Sequence, residues 1–108
     1  MSGEVAGALR ERVTIERRLD DRDALAGARG RYVYDGAAWV AVTPIVPAGL
    51  SAADSLHAMP RWRVTMRKRD GIDLRTRLVW RARLLAVRGV VSDPCEPAQM
   101  ILTCEERR

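Results

Sequence analysis

One histidine, two cysteines and one lysine in 108 residues leave little material for most chemistries. His57 has no Ser or Cys nucleophile beside it in a recognisable motif, so it reads as surface or helix packing rather than as a catalytic base. Cys95 and Cys104 would need two further ligands to hold a metal, and the chain offers only His57 and carboxylates. Asp20, Asp21 and Asp23 crowd around Arg22 and read as a solvated loop. Gly27 and Gly30 are not followed by the Lys-Ser/Thr pair that ends a phosphate-cradling loop. No catalytic residue, cofactor or metal is therefore expected. No apolar run approaches the roughly 18 residues of a membrane span. The N-terminus also lacks the basic start and apolar stretch of a secretory signal. A chain kept in a reducing cytoplasm, away from membranes and with both cysteines as thiols, is the expectation.

Arginine is abundant. The chain carries 19 basic and 14 acidic residues, net +5, and every basic residue except Lys68 is arginine. With 47% hydrophobic and 31% charged residues the composition is that of a folded module. Its length suits one domain spanning residues 1–108. The charge is localised. Residues 61–91 hold ten basic side chains against two acids, a net +8, whereas the stretches before and after sum to −1 and −2.

Hydrophobic alternation predicts a mostly β chain. Val13 and Ile15 alternate with Thr14 and Glu16 over residues 12–17, a half-buried strand that ends at Leu19. Residues 20–31 are charged and glycine-containing, hence a loop. Residues 32–34 and 38–46 are strand-forming and are separated by the turn signal Asp35-Gly36, while Pro44 and Pro47 restrict the second piece to an edge, a bulge or a strand end. Ser51 and Asp54 resemble a capping box that opens a helix over residues 51–59, about two turns long, which would lean on its surroundings through Leu56 and Met59. Residues 61–69 place Trp62, Val64 and Met66 on one face and Arg61, Arg63, Thr65, Arg67 and Arg69 on the other. After the Asp70-Gly71 turn, Leu74, Thr76, Leu78 and Trp80 alternate with Arg75, Arg77, Val79 and Arg81. A tight connection near residues 81–83, a strand to Val91, a turn over residues 93–97 and a last strand through Met100, Leu102 and Cys104 complete the chain. Six short strands with one inserted helix and two long loops suggest an all-β barrel or sandwich.

The arginines are the one constellation that could carry function. If Arg61, Arg63, Arg67 and Arg69 share a face with Arg75 and Arg77 across the Asp70-Gly71 turn, they form a basic wall suited to phosphates. A solvated face, or one neutralised by carboxylates of a neighbouring subunit, fits the same pattern. Trp62 and Trp80 lie on the opposite face and read as core, which weakens a single-strand-binding barrel with exposed stacking aromatics. Trp39 is left open. A stand-alone basic β-barrel that binds nucleic acid is the alternative to a structural subunit.

The ordered residues also resemble a family. Gly7-Ala8-Leu9-Arg10-Glu11-Arg12-Val13-Thr14-Ile15-Glu16-Arg17-Arg18, Trp39 ahead of Thr43-Pro44, and Arg63-Val64-Thr65-Met66-Arg67 are similar to phage head-tail joining proteins, also called head-closure or stopper proteins. So are the Asp70-Gly71-Ile72 turn followed by Arg75, residues 84–91 with the Asp93 turn, and Ile101-Leu102-Thr103-Cys104-Glu105-Glu106. The resemblance spans nearly the whole chain. It implies a small antiparallel β-barrel, not an enzyme, in a ring of six or twelve copies at the head-tail interface of a long-tailed phage or a phage-derived gene transfer agent. The ring would assemble in the bacterial cytoplasm, lie beneath the portal and adaptor, close the channel on packaged double-stranded DNA and receive tail-terminator or tail-tube proteins. Two loops are the expected docking or channel elements: one with Asp21, Arg22, Asp23 and Arg29, the other with Leu50, Leu56, His57 and Met59.

Overall fold

The computed structural model describes residues 9–19, 31–46 and 59–107. Six strands follow one another: β1 (Glu11–Arg18), β2 (Tyr32–Ile45), β3 (Arg61–Arg67), β4 (Thr76–Trp80), β5 (Arg83–Ser92) and β6 (Gln99–Arg107). They pair antiparallel in the order β1-β2-β3-β6-β5-β4, and β4 pairs back onto β1. The all-β expectation therefore resolves into a closed barrel rather than a sandwich. Among the described residues there is no helix; the helix expected over residues 51–59 lies outside them except for Met59.

Period-2 alternation builds the interior. Val13 and Ile15 of β1, Val40 of β2, Val64 and Met66 of β3, Leu78 of β4, Leu85 and Val87 of β5, and Leu102 and Cys104 of β6 are all essentially inaccessible. Each aliphatic side chain so buried stabilises the fold by about 1.5–3 kcal/mol. Closure gives every strand two neighbours in the sheet, although β2 is paired with β1 over residues 32–40 and with β3 only over residues 40–45.

The structure corrects two details of the sequence reading. Asp35-Gly36 is not a turn between two strands but a bulge within the continuous β2. Ile15 faces Gly36 and Glu16 faces Tyr34, so Asp35 is the extra residue. Gly36 has φ +124°, and a Cβ there would lie 2.5 Å from an Arg69 guanidinium nitrogen. Leu74 does not join the inner face of β4. It sits in the preceding turn, 66% exposed, where Asp73 organises the chain: its carboxylate accepts the Arg75 N–H at 2.8 Å and its own N–H donates to Thr76 Oγ1 at 3.0 Å.

Strand direction fixes the two ends of the barrel. The two-residue Arg81-Ala82 turn joining β4 to β5 lies at the same end as the start of β1 and the end of β6. Val46 and Met59, which residues 47–58 connect, flank the β2 and β3 termini at that end. Leu19 and Arg31, which residues 20–30 connect, lie at the opposite end, tied by a 2.9 Å bond from the Leu19 N–H to the Arg31 carbonyl. Pro44 falls where β2 has run past the start of β1, so its missing N–H is tolerated.

Candidate interaction surfaces

The proposed basic wall requires β3 and β4 to be neighbours, and they are not. Two strands separate them in either direction around the barrel, so the residues of the Arg61-to-Arg77 set divide into two groups. On β4, Arg77 Nε donates to Glu16 Oε1 of β1 at 2.6 Å, and its guanidinium lies 3.8 Å from the centroid of the Tyr32 ring. Arg75, half-buried just before β4, donates its backbone N–H to the Asp73 carboxylate, and its carbonyl accepts the Arg18 N–H at 3.1 Å. On β3, Arg61 lies 3.9 Å from Glu105 across the β3–β6 ladder. Glu105 also faces Arg88 at 3.5 Å and Arg107 at 3.6 Å. Arg69 donates a hydrogen bond to the Asp35 carbonyl and is half-buried. Arg63 and Arg67 remain exposed, without an ion pair among the described residues.

Near the Arg81-Ala82 turn the barrel is closed by a polar-rimmed aromatic pair. The rings of Trp62 and Trp80 meet edge-to-face with centroids 5.0 Å apart. Their indole N–H groups donate to Glu106 Oε1 and Glu11 Oε1, each at 3.1 Å. Arg83 lies over both rings at 5.8 and 5.4 Å and 3.7 Å from Glu106, while Arg81 ion-pairs with Glu11. The sequence indicated that both tryptophans face inward but not how their N–H groups are satisfied. The signal was the acidic residue at the outer end of each flanking strand, Glu11 and Glu106.

A third feature escaped the sequence reading. The β2–β3 ladder ends at the pair Val40 and Met66, while β2 continues to Tyr32. Beyond that pair the walls part and leave an open cleft of about 610 Å³, lined by Leu9, Ala38, Trp39, Met66, Arg67, Lys68 and Arg69. Trp39 is 54% exposed on its rim, with the Arg12 guanidinium 5.1 Å from the ring centroid. Trp39 is turned outward because Val40, its neighbour in β2, faces inward.

Of the loop residues expected to dock, Asp21, Arg22, Asp23, Arg29, Leu50, Leu56 and His57 lie outside the described residues. Met59 is half-buried just ahead of β3. Both cysteines are free, Cys95 exposed and Cys104 buried, and burial pushes the Cys104 thiol up to about 12. Among the described residues no group of three His, Cys, Asp or Glu is placed to hold a metal. Among the same residues no helix is long and apolar enough to cross a membrane.

Among the described residues the barrel interior is filled by apolar side chains, with Thr76 and Gln99 as its buried polar residues, and the ion pairs and indole hydrogen bonds lie around its outside and rims. The chain belongs to the phage head completion protein family, which matches residues 5–107. It is thus a structural, non-enzymatic component of the phage virion head that serves head-tail joining. Its fold is similar to the solution structure of protein SF1141 from Shigella flexneri 2a, with a TM-score of 0.62 and 20% identity over 93% of this chain and 94% of that one. Among curated proteins no match is found.

Proposed function

We propose that the chain forms a closed ring between the portal-adaptor assembly and the tail, retaining packaged double-stranded DNA in a central channel and presenting the surface on which the tail docks. The filled barrel carries this reading. Its interior is occupied by fully buried side chains, and the tryptophan pair caps one end, so a duplex has no passage through a single subunit. In this reading the channel runs between subunits, as in a symmetric ring. The connections of residues 20–30 and 47–58 leave from opposite ends of the barrel, which suits contacts with the layers above and below. Individually weak contacts of this kind become stable through multivalency in a closed ring.

Particles assembled with residues 21–30 deleted test the reading. They should contain folded subunits but lose DNA or fail to acquire tails; particles that keep both contradict it. Arg63→Glu with Arg67→Glu tests the exposed basic strand separately. If the strand faces the channel, DNA retention falls while rings still form, whereas lost rings place it at a subunit interface. Tight, steeply salt-dependent DNA binding by the isolated monomer, without incorporation into particles, would favour the nucleic-acid module instead.

A further inference from the structure

We propose that the cleft beside Trp39 is a docking site for an extended, acidic polypeptide segment that inserts an apolar side chain, and that this is one of the contacts the barrel makes with another virion protein. The inference rests on the head-tail joining role for its biological setting and on the cleft itself for its chemistry.

Three observations define the occupant. The floor is apolar, formed by Leu9, Ala38 and Met66 where β2 and β3 have separated, so it accepts an aliphatic or aromatic side chain. The rim is cationic: Arg67 and Lys68 are exposed, Arg69 spans to the Asp35 carbonyl, and among the described residues no carboxylate lines the cleft. Arg12 faces Trp39 across the β1–β2 ladder with its guanidinium 5.1 Å from the ring centroid, and Arg67 lines the same cleft from the end of β3. The third observation concerns backbone. Among the described residues β2 has no strand partner on its β3 side from Trp39 back to Tyr32, and apart from the Asp35 carbonyl, which Arg69 holds, this stretch of edge can take an added extended segment. A DNA duplex matches the charge but not the shape, because its bases are stacked away from a recessed apolar floor and its phosphates need only a basic surface.

The isolated 108-residue chain is sufficient for the test, which keeps it separate from ring assembly in particles. The probe is a fluorescein-labelled peptide, acetyl-Glu-Leu-Asp-Glu-Leu-Glu-Asp-Leu-amide, titrated by fluorescence polarisation beside its Gln/Asn analogue and a short duplex of mixed sequence. Saturable binding of the acidic peptide is expected. Trp39→Ala and Arg67→Glu with Lys68→Glu should each weaken it by about tenfold or more, as should replacing the carboxylates by amides. All three substituted side chains are exposed, so unchanged thermal midpoints should accompany the loss. Duplex binding, where present, should be indifferent to Trp39→Ala. No saturable peptide binding, peptide binding that survives Trp39→Ala, or equal loss of peptide and duplex binding in that variant would each overturn the proposal. Failure here leaves the ring intact as a reading; failure of particles to contain the ring leaves the cleft's peptide binding intact.

Discussion

Gly36 shows how one residue can organise a wall of the barrel. Its φ of +124° lies where L side chains are strained, and the Arg69 guanidinium occupies the space a Cβ would need. Gly36→Ala should therefore destabilise the chain by about 1–3 kcal/mol, read as a lower urea midpoint with an unchanged slope. The two cysteines are distinguished by position. Cys104 points into the barrel from β6 while Cys95 sits in the turn before it, so a thiol reagent should modify one cysteine in the native protein and both after unfolding. Burial raises the Cys104 thiol from 9.0 to about 12, which means the folded chain keeps a proton that the unfolded chain releases. The resulting stabilisation is complete below pH 9.0 and is lost as the pH climbs toward about 12. Denaturation midpoints followed across that window should fall, and Cys104→Ala should flatten the dependence.

At the scale of elements, the β4–β5 hairpin turns on two non-glycine residues at positive φ, Arg81 at 48° and Ala82 at 63°. This handedness matches the twist of the flanking strands but strains an alanine. Ala82→Gly should raise stability by about 0.5–1 kcal/mol, visible as a higher thermal midpoint. The arginines of different strands should respond differently to charge reversal. Arg77→Glu sets a carboxylate against Glu16 and removes the stacking on Tyr32, so it should lower the thermal midpoint; Arg63→Glu, on an exposed position, should leave it nearly unchanged. Strand identity and inward faces were legible in the sequence because alternation in residues such as Trp62, Val64 and Met66 reports directly on burial. Strand neighbours were not. Asp70-Gly71 reads as a hairpin turn, yet the chain crosses the end of the barrel there: Lys68 donates its N–H to the Ala98 carbonyl at 2.8 Å and Ile72 is buried. Closure of the sheet then places β4 beside β1 and β5, a choice made by packing among all six strands rather than by any local signal. The Trp39 cleft was unreadable for the same reason, since it exists only where two paired strands part.

For the whole molecule, the net +8 of residues 61–91 does not become a single basic wall. Glu16 and Glu105 engage Arg77 and a group of three arginines, and Glu11 and Glu106 engage Arg81 and Arg83, leaving Arg63 and Arg67 as the exposed members of the original set without an ion pair among the described residues. Five of the ten basic residues in that segment pair with the chain's own carboxylates, so the charge is divided around a filled barrel rather than gathered on one face. Under the proposed function such barrels form a ring at the head-tail junction. Electron cryomicroscopy of intact particles should show copies of this six-stranded barrel arranged around the channel axis between the portal-adaptor and the tail; a junction fully resolved without them would overturn the proposal.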